Sequence, residues 1–249
     1  MNILVCVKQV PDTETRIKIG ADKKSIDTTD INWILNPYDE YAVEEALRIK
    51  EKQGNTTVTV ISVGPDRTTA ALRSALAMGA DEAVLVKTEQ AVDALATAKA
   101  LAAVIKDMPH DLILAGKQGV DDDSLQVGPM VAELLNIPCV TYISELKLEN
   151  GKALVKREVE GGMEVVEATL PALFTAEKGL NEPRYPALRG IMMAKKKVIQ
   201  EKLVPIDSPK IQIVNIDYPP TRKAGKIVGQ GVDAVPELVR LLREEAKAV

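Results

Sequence analysis

The first half of the chain alternates between short apolar runs and longer segments in which apolar residues recur every three or four positions. The apolar runs cover residues 2–7, 57–63, 83–86 and 112–115. The segments with helical spacing cover residues 38–53, a stretch around 72–76, residues 93–106 and a stretch from 129 to 135. Buried strands that alternate with amphipathic helices predict an α/β fold with a mostly parallel, doubly wound sheet.

After Pro138 the pattern changes to short segments typical of antiparallel strands. Residues 143–149, 152–159 and 165–169 are separated by turn residues, which predicts an added β-meander that extends one edge of the sheet. Residues 173–175 are expected to return to the core. The predicted core therefore covers residues 1–197.

From residue 198 onward, the composition is that of an extended arm. Prolines interrupt it repeatedly, and only residues 211–216 have the pattern of a strand. Residues 233–246 have an apolar face at helical spacing, with Pro236 in the first turn. We expect residues 198–249 to form a C-terminal arm whose helix docks either on the core or on another subunit.

The loop after the fourth apolar run, residues 116–129, has the features of a ligand-binding edge. Gly116, Gly119 and Gly128 allow close approach of the backbone, and Pro129 fits the first turn of the next helix. The free N–H groups of that helix would lie near Gln126 and favour an anion. The turns at residues 7–12, 36–39 and 63–67 also follow predicted elements of the sheet and would converge with this loop on one ligand.

The acidic residues 121–123 within this loop leave its role open. Carboxylates repel phosphate, but they also cap helices, accept hydrogen bonds from ribose hydroxyls and bind metal ions. An ordinary acidic turn that caps a surface helix and a nucleotide site are therefore both compatible with these residues.

Composition narrows the classes of function. A net charge of −4 argues against general nucleic-acid binding, and one Trp, one Phe and five Tyr offer little surface for stacking bases. Cys6 and Cys139 lie far apart without metal-ligand spacing, so neither a metal site nor a disulfide is expected. Because no apolar run has the length of a membrane span, a cytoplasmic location is expected.

Motifs for catalysis are absent from the sequence. The single histidine, His110, has no nucleophile motif beside it, and the glycine patterns of dinucleotide-binding crossovers, phosphate-binding loops and hydrolase elbows do not occur. The sequence therefore predicts a nucleotide edge without a catalytic group, as in a binding or carrier subunit.

Five stretches together resemble the β subunit of electron transfer flavoprotein. They are residues 5–11 (VCVKQVP), 35–46 (LNPYDEYAVEEA), 76–81 (LAMGAD), 156–164 (KREVEGGME) and 180–185 (LNEPRY). The resemblance runs from the first strand to about Lys197. It implies a sheet of the adenine-nucleotide-binding type and a heterodimer in which the α subunit holds most of the redox FAD and this chain holds an adenine nucleotide. The arm would then dock on the α subunit.

The resemblance also implies the residues of the nucleotide site. Carried onto this sequence, the contacts are Cys6, Val7, Lys8, Asn36, Pro37, Tyr38, Asp39, Val63, Gly64, Thr97, Gly116, Lys117, Gln118, Gly119, Val120, Asp121, Asp122, Asp123, Ser124, Leu125, Gln126 and Val127. Tyr38 would lie near the flavin of the partner. Thr13 replaces a residue that is Tyr in some members, which puts a role for Thr13 in doubt.

The family uses a recognition loop to bind acyl-CoA dehydrogenases, and the electrons pass on to a quinone-linked or other acceptor. Here the loop would span residues 184–193 with Leu188 as its anchor. Its members are Arg184, Tyr185, Pro186, Ala187, Leu188, Arg189, Gly190, Ile191, Met192 and Met193.

The nucleotide is either AMP or a second FAD. Thr97 with its small neighbours, and residues 126–129, resemble members that bind a second FAD, whereas Asp121 to Asp123 resemble the AMP type; we favour FAD on these residues. A second FAD would make the chain an NADH-oxidising subunit of an electron-bifurcating complex. A stand-alone adenine-nucleotide sensor of universal-stress type is the other alternative, but such a sensor does not need the arm.

Overall fold

The computed structural model describes residues 1–221 and 224–248. Its strands are β1 (Asn2–Cys6), β2 (Gln9–Pro11), β3 (Trp33–Leu35), β4 (Thr57–Gly64), β5 (Glu82–Lys87), β6 (Leu112–Gly116), β7 (Cys139–Glu149), β8 (Lys152–Val159), β9 (Gly162–Thr169), β10 (Ala172–Ala176) and β11 (Ile199–Lys202). Its helices are α1 (Pro37–Gln53), α2 (Thr69–Met78), α3 (Ala94–Ile105), α4 (Val127–Leu135), α5 (Leu188–Lys196) and α6 (Val235–Glu244).

The main sheet has the strand order β11-β5-β4-β1-β6-β10-β7-β8-β9. Every neighbouring pair from β11 to β7 is parallel, whereas β7, β8 and β9 pair in antiparallel fashion. Helices α1, α2 and α5 cover one face, and α3 and α4 cover the other. The predicted doubly wound fold and the predicted meander at one edge are therefore confirmed.

The central strands are apolar on both faces because helices cover both. In β1, Ile3 and Val5 pack under α1 and α2, while Leu4 and Cys6 pack under α3 and α4. Such strands read as continuous apolar runs rather than as alternating ones. This is why the sequence predicted them correctly. Strand β10 returns to the centre between β6 and β7, as expected for residues 173–175.

The later part of the chain differs from the prediction in four places. Strand β11 pairs with β5, so the sheet extends beyond residue 197. Residues 211–216 form no strand in the described chain, and residues 188–196 form helix α5 instead of a loop. The last helix covers only Val235–Glu244, after a 3₁₀ turn at Val232–Ala234. The local sequence does not indicate which of these segments pairs with another strand or packs on the rest of the domain.

The topology places a crevice between β1 and β6. From β1 the chain crosses one face through α1 to β4, and from β6 it crosses the other face through α4 to β7. Connections that leave neighbouring strands in opposite directions open a crevice at their carboxyl ends, which is where ligands bind in such sheets. None of the helices in the described ranges is long and apolar enough to span a membrane.

Candidate functional site

A cavity of about 240 Å³ lies in this crevice, bounded by the carboxyl ends of β1, β4 and β6 and by α3 and α4. Most of the predicted contact residues line it, namely Cys6, Val7, Lys8, Asn36, Asp39, Val63, Thr97, Gly116, Lys117, Gln118, Gly119, Asp122, Ser124, Leu125, Gln126 and Val127. The four turns that the sequence predicted to converge are thus brought together around one cavity. Binding of a nucleotide by these residues stays a prediction.

The remaining predicted contacts lie beside the cavity and not in its wall. They are Pro37, Tyr38, Gly64, Val120, Asp121 and Asp123. The Tyr38 ring lies against Lys117, whose Nζ is 5.0 Å from the ring centroid and 2.7 Å from Glu177 Oε2. Thr13 is exposed in the turn after β2.

Asp39 forms the floor of the site and joins the two central strands. Its Oδ2 accepts a hydrogen bond from the Lys8 N–H at 2.6 Å, just after β1, and its Oδ1 accepts one from the Gly116 N–H at 3.1 Å, at the end of β6. The side chain is buried, and burial raises the pKa of this carboxyl group to about 7. Asp39 therefore holds the crevice walls together through bonds to the backbone of both strand ends.

Asn36 has the same structural role for the loop after β6. Its Nδ2 donates to the Gln118 carbonyl oxygen at 2.8 Å, and its Oδ1 accepts from the Val120 N–H at 3.2 Å. Buried polar groups need such partners, and both ends of this amide have one. Asn36 and Asp39 thus position the site from the N-terminal end of α1, a role that residue type alone does not distinguish from ligand contact.

The acidic trio is satisfied within the loop itself. Lys8 Nζ lies 2.8 Å from Asp121 Oδ1 and 3.2 Å from Asp122 Oδ2. Asp123, at a φ of 48°, accepts from Gln118 Nε2 at 2.5 Å. Because a lysine neutralises part of this charge, the trio no longer argues against an anionic ligand. Among the described residues, no group of three or more His, Cys, Asp or Glu side chains is arranged to hold a metal ion.

Helix α4 begins at the cavity without a side-chain cap. Its N-cap residue, Gln126, makes no capping hydrogen bond, and the first intrahelical bond is donated by Met130 to the Gln126 carbonyl. The N–H groups of Val127 and Gly128 are therefore free to bind an anion, and the helix dipole favours negative charge there. A Cβ at Gly128 would come 2.9 Å from Thr175 Cγ2, so glycine lets this end of the helix pack close to the sheet.

The wall contributed by α3 was largely missed from the sequence. Thr97 was predicted, but Val92, Asp93, Ala94 and Leu101, in and just before α3, were not among the predicted contacts. Ala115 of β6 and Val131 of α4 also line the cavity without having been predicted. Asp93 is the N-cap of α3, and its Oδ1 accepts from the Ala96 N–H at 2.8 Å. An Asp directly before a helical run and after β5 was the available signal for this wall.

Part of the arm docks on the domain itself. Asp93 Oδ2 also accepts from the Lys210 and Ile211 N–H groups, Asp207 Oδ2 lies 2.5 Å from Lys99 Nζ, and Val204 packs against the core under α3. Residues 204–211 are thus fixed beside the cavity by their own chain. Further along, the Ile216 N–H donates to the Lys23 carbonyl oxygen at 2.8 Å, and the Tyr218 hydroxyl accepts from the Ile19 N–H at 3.0 Å. Docking of the arm on a partner stays a prediction, and it concerns the parts of the arm that these contacts leave exposed.

The residues of the predicted recognition loop lie on another surface, along α5. Tyr185 and Leu188 are 97% and 75% exposed, and Ile191, Met192 and Met193 are exposed beside them. Arg184 instead points back onto α1, where it binds Glu44 and Glu51. The segment therefore has an exposed apolar face, and its first residue, Arg184, is held on α1 by ion pairs.

The fold and the site define a class: a doubly wound α/β protein with a cavity at the carboxyl ends of its central strands. The electron transfer flavoprotein domain model matches residues 24–206. The chain is 44% identical over 260 residues to the electron transfer flavoprotein subunit beta of Bacillus subtilis, covering 100% of both. It is 42% identical over 250 residues to that of Bradyrhizobium diazoefficiens, covering 99% of both, and 41% over 258 residues to the mitochondrial one of Oryza sativa subsp. japonica, covering 100% of both. The chain belongs to the family of electron transfer flavoprotein β subunits.

Proposed function

We propose that this chain is the β subunit of a heterodimeric electron carrier and that it holds an adenine nucleotide in the crevice between β1 and β6. The observation that carries the proposal is the uncapped N-terminus of α4, which opens into a glycine-lined cavity at the switch point of the sheet. Most of the redox FAD would be held by an α subunit. The expected cytoplasmic location stays a prediction.

Each part of the crevice has a distinct role in this proposal. The N–H groups of Val127 and Gly128 would bind phosphate, and the Lys8 ammonium would offset part of the charge of Asp121 and Asp122 in the same loop. Asn36 and Asp39 would keep the two loops in place through their hydrogen bonds to backbone groups. Bound flavin supplies one- and two-electron transfer, and the protein contributes binding, orientation and exclusion of water.

The cavity volume supports AMP over a second FAD. At about 240 Å³, the cavity lies below the roughly 300–1,000 Å³ usual for drug-sized ligands. Although Thr97 and its neighbours favour FAD on sequence grounds, a cavity of about 240 Å³ is closer in size to a mononucleotide than to a dinucleotide. We therefore propose AMP as the occupant, which makes the chain a carrier subunit and not an NADH-oxidising one.

The nucleotide content of the purified complex tests this choice. Acid extraction should release about one FAD and one AMP per heterodimer. Two FAD molecules without AMP would instead support the NADH-oxidising alternative, and purification of the chain alone, without a flavoprotein partner, would contradict the heterodimer.

The exposed part of the arm supports the presence of a large partner. Beyond residue 211 the arm exposes several large apolar side chains, including Val214 at 80% and Ile227 at 87%. Exposed apolar surface of this extent marks an interaction site, because water would otherwise face it. We propose that the α subunit covers it. A stand-alone sensor would leave it bare, and this observation disfavours that alternative.

We propose that the α5 segment docks acyl-CoA dehydrogenase-type donors, from which electrons pass to a quinone-linked or other acceptor. Leu188→Ala should raise the KM for the donor about tenfold or more, because burial of a Leu side chain contributes about 1.5–3 kcal/mol. Reduction of the complex by a dehydrogenase and its substrate measures this. Flavin content should not change. An unchanged KM would contradict the proposed role of Leu188 as the anchor.

A further inference from the structure

Helix α5 is exposed and apolar on one side and fixed to the domain on the other. Leu188, Met192 and Met193 project into solvent, while Ala194 is buried against the core. A flexible loop with the same side chains would lose conformational freedom when it binds. The contacts that fix α5 to the domain therefore bear directly on how it binds.

Gly190 lets α5 approach α2 closely. A Cβ built at this position would overlap the carbonyl oxygen of Ala77, which belongs to the α2 backbone and has no rotamer to change. Any larger residue must therefore push the two helices apart. Glycine is otherwise unfavourable inside a helix relative to alanine, so its presence here is explained by packing and not by helix propensity.

Arg184 fixes the chain just before α5. Its Nε lies 2.7 Å from Glu44 Oε2 and its Nη1 lies 2.5 Å from Glu51 Oε1, with further bonds from Nη2 to both carboxylates. Glu44 and Glu51 lie about two turns apart on α1, so only a forked guanidinium reaches both. With these bonds made, the Arg184 guanidinium is held by its own chain.

Arg73 of α2 fixes the other end of the helix. Its Nη1 donates to the carbonyl oxygens of Ala194 at 2.6 Å and Lys197 at 3.2 Å, which lie at the C-terminal end of α5. The Ala194 carbonyl also accepts the Lys197 N–H at 3.3 Å, and a cation is favoured at this end by the helix dipole. Helix α5 is therefore fixed at its start, its middle and its end.

We propose that Arg184, Gly190 and Arg73 are positioning residues that hold the segment 184–197 in its docking geometry before the redox partner arrives. Preorganisation of this kind raises affinity because the segment does not need to be ordered during binding. The proposal rests on the docking role of α5 proposed above. It reassigns Arg184 from a partner contact to a support for the residues that make contact.

Gly190→Ala in the assembled heterodimer tests the central contact. We expect the KM for an acyl-CoA dehydrogenase to rise about tenfold, with kcat and flavin content unchanged, and the amide hydrogens of residues 188–196 to exchange faster. Gly162→Ala is the matched control, since a Cβ there meets nothing within 4 Å. If helix propensity alone mattered, Gly190→Ala would slow exchange and leave the KM unchanged, and this result would overturn the proposal.

A double-mutant cycle separates positioning by Arg184 from direct contact with the partner. Arg184→Gln and Glu51→Gln should each raise the KM, and the double variant should be no worse than Arg184→Gln alone. If Arg184 instead contacted the partner directly and did not hold the segment, the amide hydrogens of residues 188–196 would exchange at the wild-type rate in Arg184→Gln, which would also overturn the proposal. This cycle decides the question even if Gly190→Ala fails to fold.

The Leu188→Ala variant keeps this proposal separate from the docking role itself. If Leu188→Ala leaves the KM unchanged, docking by α5 fails and the positioning proposal falls with it. If Leu188→Ala raises the KM while the Gly190 and Arg184 variants do not, docking stands and only the positioning proposal is wrong.

Discussion

Gly116→Ala is expected to abolish nucleotide retention and to lower the free energy of unfolding by about 3 kcal/mol. A Cβ at this position would overlap Asp39 Oδ1 and lie 2.7 Å from the Tyr38 carbonyl carbon and 2.8 Å from the Asp39 nitrogen. All three atoms are fixed at the start of α1, so the strand and the helix must separate. That separation would break the bond from the Gly116 N–H to Asp39 and leave buried polar groups unpaired.

Two measurements check this expectation in the purified protein. Urea unfolding gives the change in stability, and acid extraction gives the nucleotide content. Gly162→Ala serves as the control here as well, because its added methyl group has open space. A Gly116→Ala variant that keeps wild-type stability and a full complement of nucleotide would show that the contact at the switch point is not needed.

Asp39→Asn is expected to change how stability depends on pH. Burial raises the pKa of Asp39 from 3.8 to about 7 in the folded chain, so between these values the folded state holds a proton that the unfolded state releases. The contribution of the Asp39 carboxyl group to the stability of the folded state is therefore fully present below pH 3.8, and it is lost as the pH rises through 7. Relative to the non-titrating variant, the wild type should lose up to about 1.4 kcal/mol per pH unit in this window.

Urea unfolding of both proteins across this pH range measures the difference. Asp22→Asn provides a control of opposite sign, because hydrogen bonds from Lys24 and Ser25 lower the pKa of the Asp22 carboxyl group. The wild type should lose stability relative to that variant as the pH falls. A difference between wild type and Asp39→Asn that stays constant from pH 4 to pH 8 would contradict the expected protonation of Asp39.

Residue type predicts that a side chain lies at the site better than it predicts what that side chain does there. Asn36 and Asp39 were expected to contact the nucleotide, and both do line the cavity. Their polar atoms nevertheless bind backbone groups of Lys8, Gly116, Gln118 and Val120. The last three of these partners lie 77 to 84 residues away along the chain, and no local pattern carries the information that they will meet.

The electrostatics of the acidic trio could not be predicted from the sequence either. From the sequence, Asp121 to Asp123 counted against a phosphate site. The fold places the Lys8 ammonium, from the end of the other central strand, within 3.2 Å of two of these carboxylates. Part of the local charge is therefore neutralised by a residue that only tertiary structure brings near.

The sequence by itself determined the order of strands and helices in the core, the edge meander and the turns that meet at the crevice, because hydrophobic periodicity and turn residues are local properties. The family followed from the resemblance of five sequence stretches and from the comparisons. Tertiary structure alone decided that residues 188–196 form a helix, that residues 204–211 dock on α3, that β11 joins the sheet, and that the α3 wall completes the cavity. Each of these depends on a partner distant in the chain. Gly190 with Ala77 and Asp93 with Lys210 are such pairs. Their contacts stabilise these segments only after the fold has brought the two residues together.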